Sequence, residues 1–156
     1  MKIDGYGLSV DVPEGWYGRI YQREAGPEEV TKPIVHLANA PLSDANADDV
    51  LQGTMEAMGR DGVAVAVYEL EPLPGFANPE LGFGDAGAAI GVRPGDTAHI
   101  QGVPSEFLTL LRRVRFANRY FQIRVVFGAS QARPELFAQV NRILGSFRAA
   151  NAAVAG

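Results

Sequence analysis

Leu8, Val10 and Val12 alternate with Ser9 and Asp11, the period of two that marks a half-buried strand. Pro13-Glu14-Gly15 ends it, because proline cannot donate to a ladder and glycine frees the turn. Residues 16–23 read as the returning strand of a hairpin, and the polar stretch 24–32, with Gly26 and Pro27, as a loop. Residues 33–42 form a third strand, with Ile34, His36 and Ala38 on one face and Val35, Leu37 and Asn39 on the other. A short helix is predicted over 48–60, where Val50, Leu51, Met55 and Met58 make an apolar stripe and the acids sit at the positive end of the dipole. Asp61-Gly62 stops it. Residues 63–70, VAVAVYEL, are almost continuously apolar, which suits an interior strand covered on both faces.

From 71 to 89 the pattern dissolves into prolines and glycines, a long irregular segment of the kind that often serves function. Residues 90–93 are predicted as a short strand closed by Pro94-Gly95-Asp96, and 97–104 as a connector. Two long alternating segments follow, 107–115 and 119–127. If Ala117-Asn118 is a two-residue hairpin loop, Phe116 faces Arg119 and Leu108 faces Phe127. Leu108, Leu110, Val114, Phe121, Ile123, Val125 and Phe127 then share one face, and Thr109, Arg113, Arg115, Tyr120, Gln122 and Arg124 the other. Arg112 falls on the apolar face, to snorkel at an edge or pair with an acid. A four-residue turn is the alternative, since Ala-Asn is not the favoured Asn-Gly. Finally, Ser130 as N-cap, Pro134 and Glu135 start an amphipathic helix running to about Arg148, its stripe made by Leu136, Phe137, Val140, Ile143, Leu144 and Phe147. Residues 151–156 read as a frayed tail. The expected fold is α+β: one domain over 1–150, a single antiparallel sheet with the C-terminal helix on one face and the 48–60 helix elsewhere.

Charge adds a division that the periodicity does not show. Residues 1–106 carry 6 basic and 17 acidic residues, and 107–156 carry 8 arginines and the single acid Glu135, so that −11 and +7 make up the net charge of −4. The basic stretch is not a tail, because its hairpin and helix complete the same core as the acidic strands. Cross-strand Arg–acid pairing is the ordinary use of such residues. The sharper use is a partner-binding face on the hairpin, formed by Arg113, Arg115, Tyr120, Gln122 and Arg124, whose guanidinium forks and aromatic suit phosphate or a carboxylate-rich peptide. Nucleic acid is not expected of an acidic chain without the spaced aromatics of RNA-binding modules.

The absence of cysteine excludes disulfides, thiolate metal sites and a cysteine nucleophile. His36 reads as a half-buried strand residue with one hydrogen bond, and His99 as a loop residue whose pairing with Asp96 supplies two ligands where a metal needs three or four. Gly82-Phe83-Gly84-Asp85-Ala86-Gly87 lacks the strand–turn–helix setting of a dinucleotide site. Glu28-Glu29 and Asp48-Asp49 read as a solvated loop and a helix cap, and no G-x-S-x-G elbow is present. No cofactor and no metal are expected. No apolar run reaches the ~20 residues of a membrane span, and the N-terminal MKIDGYGLSV is not a signal peptide, which makes cytoplasmic the default compartment.

Val12-Pro13-Glu14-Gly15-Trp16, the two-strand finish RRVRFANRYFQIRVVFG and the closing helix with Ile143-Leu144-Gly145-Ser146-Phe147 resemble the PsbP-like superfamily. The resemblance implies an antiparallel sheet with helices on both faces. It also implies binding rather than catalysis, since members include a photosystem subunit, a nuclear import factor, lipoproteins and bacterial secretion adaptor chaperones. The expectation is therefore a non-enzymatic protein-interaction module, an adaptor, chaperone or component of a larger assembly, with a protein partner or self-association. The alternative is a small-ligand-binding or hydrolytic domain whose pocket lies under the 71–89 loop, lined by His36 or His99.

Overall fold

The computed structural model describes residues 1–22, 27, 31–42, 54, 58–71, 83–100 and 103–150. Among them the strands are β1 (Lys2–Gly5), β2 (Leu8–Asp11), β3 (Tyr17–Tyr21), β4 (Ile34–Ala38), β5 (Val63–Leu70), β6 (Phe83–Asp85), β7 (Leu108–Phe116), β8 (Arg119–Phe127) and β9 (Arg148–Ala149), with helix α1 over Pro134–Gly145. The class is α+β, but the sheet is not single. A six-stranded sheet runs in the order β3-β4-β5-β8-β7-β6, and a three-stranded one in the order β1-β2-β9. Every pairing is antiparallel except β6 with β7.

The β7–β8 hairpin has the expected register, from Leu108 opposite Phe127 to Phe116 opposite Arg119. Ala117 and Asn118 both take positive φ, 54° and 59°, so this is a two-residue turn of the kind whose twist matches the strands. β5 lies between β4 and β8 with Val63 to Val67 buried, as its unbroken apolar run requires.

The expected hairpin of residues 8–12 with 16–23 does not form. β2 turns back on β1 through Tyr6 and Gly7, at φ of 55° and 77°, while β3 pairs with β4 in the other sheet. The strand Lys2–Gly5 carries one large apolar residue, Ile3, too few to register as a period. β9 pairs Leu8 with Ala149 and Ser9 with Arg148, so the predicted helix ends early, at Gly145. Ser146 makes the junction: its Oγ donates to the Ile143 carbonyl at 2.6 Å and accepts from the Asp11 amide at 3.0 Å. Helix α1 starts at Pro134, with Glu135 in its first turn, as those start signals predict; its N-cap is Arg133 rather than Ser130, because a residue before proline is held extended and Arg133 sits at ψ 139°.

Residues 90–93 are not a strand. Ile90 and Val92 are both buried, which gives the alternation, but their partner is a side chain. The Asn141 amide accepts from the Val92 N–H at 2.8 Å and donates to its carbonyl at 3.0 Å, imitating a ladder rung, and Arg112 donates to the Gly91 carbonyl at 2.9 Å. That contact, not an acid, is how Arg112 is accommodated on the apolar face. Within the stretch expected to be irregular, Phe83–Asp85 forms the edge strand β6, too short for periodicity to reveal. Of the predicted 48–60 helix, Thr54 is helical and buried and Met58 to Arg60 are not helical; the rest lies outside the described residues, as do 72–82, Glu28-Glu29 and 151–156.

The main core fills the space between one face of the large sheet, α1 and the small sheet. Phe147 sits at its centre, fully buried, with its ring 5.2 Å from that of Phe121 and 6.0 Å from that of Phe116. A second cluster, Ala38, Ala64, Ala66 and Val126, buries part of the opposite face against Leu42, Met58, Tyr68, Val103 and Phe107. Thr109, grouped with the polar residues by parity, is buried at that end. The 59–62 turn seats directly on the residue that follows β8: Gly128 donates to the Gly62 carbonyl at 2.9 Å, and a Cβ at Gly128 would lie 2.1 Å from the Gly59 carbonyl oxygen. Gly128→Ala is expected to cost about 2 kcal/mol of stability, the usual scale for forcing a methyl into filled space. Urea unfolding checks this, and an unchanged midpoint would mean the turn does not seat there.

Candidate functional site

The strand register places Arg113 and Arg115 of β7 and Tyr120, Gln122 and Arg124 of β8 together on the face away from the main core. Arg113 faces Gln122, Arg115 faces Tyr120, and Arg124 faces Leu111. β6 extends this face sideways, with Phe83 beside Arg113 and Asp85 beside Arg115. In the other direction the row through Arg124 continues to Ala66, His36 and Arg19.

Each member makes a distinct contact. Arg113 is exposed, and its Nε donates to Gln122 Oε1 at 3.1 Å. Arg115 lies 3.6 Å from the Asp85 carboxylate, both side chains being more than half exposed, at 52% and 72%. An ion pair so open to water contributes roughly 0–1 kcal/mol. The Gly87 amide, donating to Asp85 Oδ1 at 3.0 Å, holds that carboxyl below its ordinary pKa, with Arg115 adding to the effect. The Tyr120 ring meets Phe83 edge-on at 5.3 Å, and the Arg124 guanidinium lies over Tyr68, 5.4 Å from the ring centre.

Among the described residues, acids of residues 1–106 thus meet the basic C-terminal third at Arg115, and also at two arginines outside this face. Arg133 pairs with Asp61 at 2.6 Å, both exposed. Arg119 pairs with Glu69, their side chains only 10% and 6% exposed. Arg119 also donates to the carbonyls of Tyr6, Gly7 and Ala150 at 3.3, 3.4 and 3.2 Å. This buried pair fastens the turn of the small sheet to the end of the large one. Strand parity could have found Arg119, since it shares the core face of Phe121 and Ile123.

His36 departs from expectation. It is fully buried rather than half-buried, and neither ring nitrogen has a hydrogen-bond partner. Burial, and then Arg19 directly across the ladder, push its pKa from 6.5 down to about 4, so the ring is neutral at pH 7. His99 lines a surface cleft of about 220 Å³ whose walls include Ile100, Val103, Phe107 and Ser130 but no acid. Asp96, three residues earlier, accepts instead from the Arg93 amide at 2.8 Å. Among the described residues no three histidines or carboxylates converge as metal ligands, and no helix is long and apolar enough to cross a membrane.

No family model matches the sequence, and no curated protein matches it. Among solved structures, a chain of the Pseudomonas aeruginosa MucA/MucB complex aligns with 95% of this chain at 14% identity and a TM-score of 0.36. This chain spans 36% of the length of that one.

Proposed function

We propose that this chain is a non-enzymatic protein-interaction module, an adaptor, chaperone or structural component of a larger cytoplasmic assembly. One observation carries the reading. A rigid hairpin at the side of the large sheet presents Arg113, Arg115 and Tyr120 around the Phe83 edge, with Arg113 bonded to a neutral amide and Arg115 to a solvent-screened carboxylate. Arginine and tyrosine held on a fixed scaffold are the residues that carry binding energy at protein interfaces. The resemblance of the VPEGW turn and the closing hairpin and helix to PsbP-like binding proteins supports the same reading.

Affinity capture of the full chain from its native cells, under gentle lysis, tests it. A protein recovered at a fixed stoichiometric ratio, with a matching mass by light scattering, is the expected result. A monomer without any associated protein would overturn the proposal.

A further inference from the structure

We infer that the β7–β8 face takes an acidic segment of a partner protein, a peptide rich in Asp and Glu whose carboxylates bind Arg113 and Arg115 and displace Asp85. This rests on the reading of the chain as an interaction module and names the chemistry of its partner.

The first argument is charge. Along the β6–β7–β8 part of this face the described strand residues include Arg113, Arg115 and Arg124 but one carboxylate, Asp85. The chain as a whole carries −4. A cationic strip on an acidic protein selects a short anionic segment that engages it locally, whereas a long polyphosphate would also meet the repulsion of the remaining surface. The second is geometry. Arg113 and Arg115 lie two positions apart on one strand, so their side chains stand side by side with the spacing of alternate residues in an extended peptide. The guanidinium fork matches a carboxylate in a way it cannot match the Gln122 amide it now contacts.

The third is Asp85 itself. Its carboxylate already occupies the place beside Arg115, held there by the Gly87 amide on a three-residue edge strand. It acts as a stand-in for the incoming acid, and its exposure makes it exchangeable. Tyr120 against Phe83 supplies an aromatic surface next to both arginines for the apolar part of the segment.

Fluorescence anisotropy of the full chain with a labelled ten-residue polyglutamate peptide provides the test. Saturable binding that weakens with added salt is expected. Replacing both arginines, Arg113→Gln with Arg115→Gln, should weaken it about tenfold, a magnitude set by two charge-assisted contacts, while Asp85→Asn should strengthen it about threefold, the scale of one exposed pair. These side chains are exposed, so thermal unfolding of the variants should match the parent. Peptide binding indifferent to all three substitutions would overturn the inference, as would tighter binding of a single-stranded DNA of equal length. A co-purifying native partner that ignores the arginine substitutions would leave the interaction module standing and this assignment overturned. Polyglutamate binding with no native partner would overturn the interaction module and, with it, the partner assigned to this face.

Discussion

Arg119→Ala is expected to lower the unfolding free energy by about 3–5 kcal/mol, because it strands the Glu69 carboxylate in the protein interior. Glu69 is 6% exposed, and the next cation, Lys32, stands 4.0 Å away while also serving Glu71 at 3.1 Å. The loss is larger than a severed ion pair alone, since Arg119 also satisfies the carbonyls of Tyr6, Gly7 and Ala150. Chemical denaturation measures the total, and hydrogen exchange locates it, with protection falling first in Lys2–Gly5, Leu8–Asp11 and Arg148–Ala149. The double variant Arg119→Met with Glu69→Leu separates charge from packing. It should recover most of the loss, since replacing both ends of a buried pair by apolar groups is commonly neutral. A double variant no better than Arg119→Ala would show that the carbonyl contacts, not the pair, hold the sheets together.

His36 predicts a loss of stability in mild acid. Burial favours the neutral ring in the folded chain, so the unfolded chain takes up the proton first. Stability is complete above about pH 6.5 and is lost as pH falls towards the folded value of about 4. Across that window the loss amounts to about 3 kcal/mol, from 1.36 kcal/mol for each unit of pKa. His36→Leu should remove this dependence. At pH 7 the variant should be more stable by about 1–2 kcal/mol, since two buried nitrogens without partners give way to a side chain that needs none. Urea titrations at several pH values between 7.5 and 4 compare the two proteins. Parallel profiles would sink the assignment.

The parts of this fold that sequence reveals are those where one rule repeats. Nine residues of alternation on each side of Ala117-Asn118 determine a register, and the register alone brings Arg113, Arg115, Tyr120, Gln122 and Arg124 to one face. Residues 63–70 are legible for the opposite reason, since no polar position interrupts them until the strand leaves the core. What escapes is short or borrowed. Lys2–Gly5, Phe83–Asp85 and Arg148–Ala149 offer four, three and two residues, at most two periods. Ile90 to Val92 imitates a strand because Asn141 completes its hydrogen bonds from a helix. The depth of His36 escapes because alternation identifies a face without saying what covers it. Here the face opposite the main core is also buried at Ala38, Ala64 and Ala66.

The pairing of Leu8–Asp11 with Arg148–Ala149 brings together segments far apart in the sequence. The neighbours β7 and β8, by contrast, need only two residues between them to meet. On the ribosome the difference becomes an order of events. The large sheet has all its strands once Phe127 has emerged, and the closing hairpin can nucleate locally within microseconds. Until Ala149 follows, Leu8 and Ser9 lack their lateral partners, and the β1–β2 ribbon remains an isolated two-stranded hairpin of the marginally stable kind. The apolar residues of that ribbon, Leu8 and Val10, therefore wait for their cover until after the large sheet has been made, and there the nascent chain is most vulnerable to aggregation.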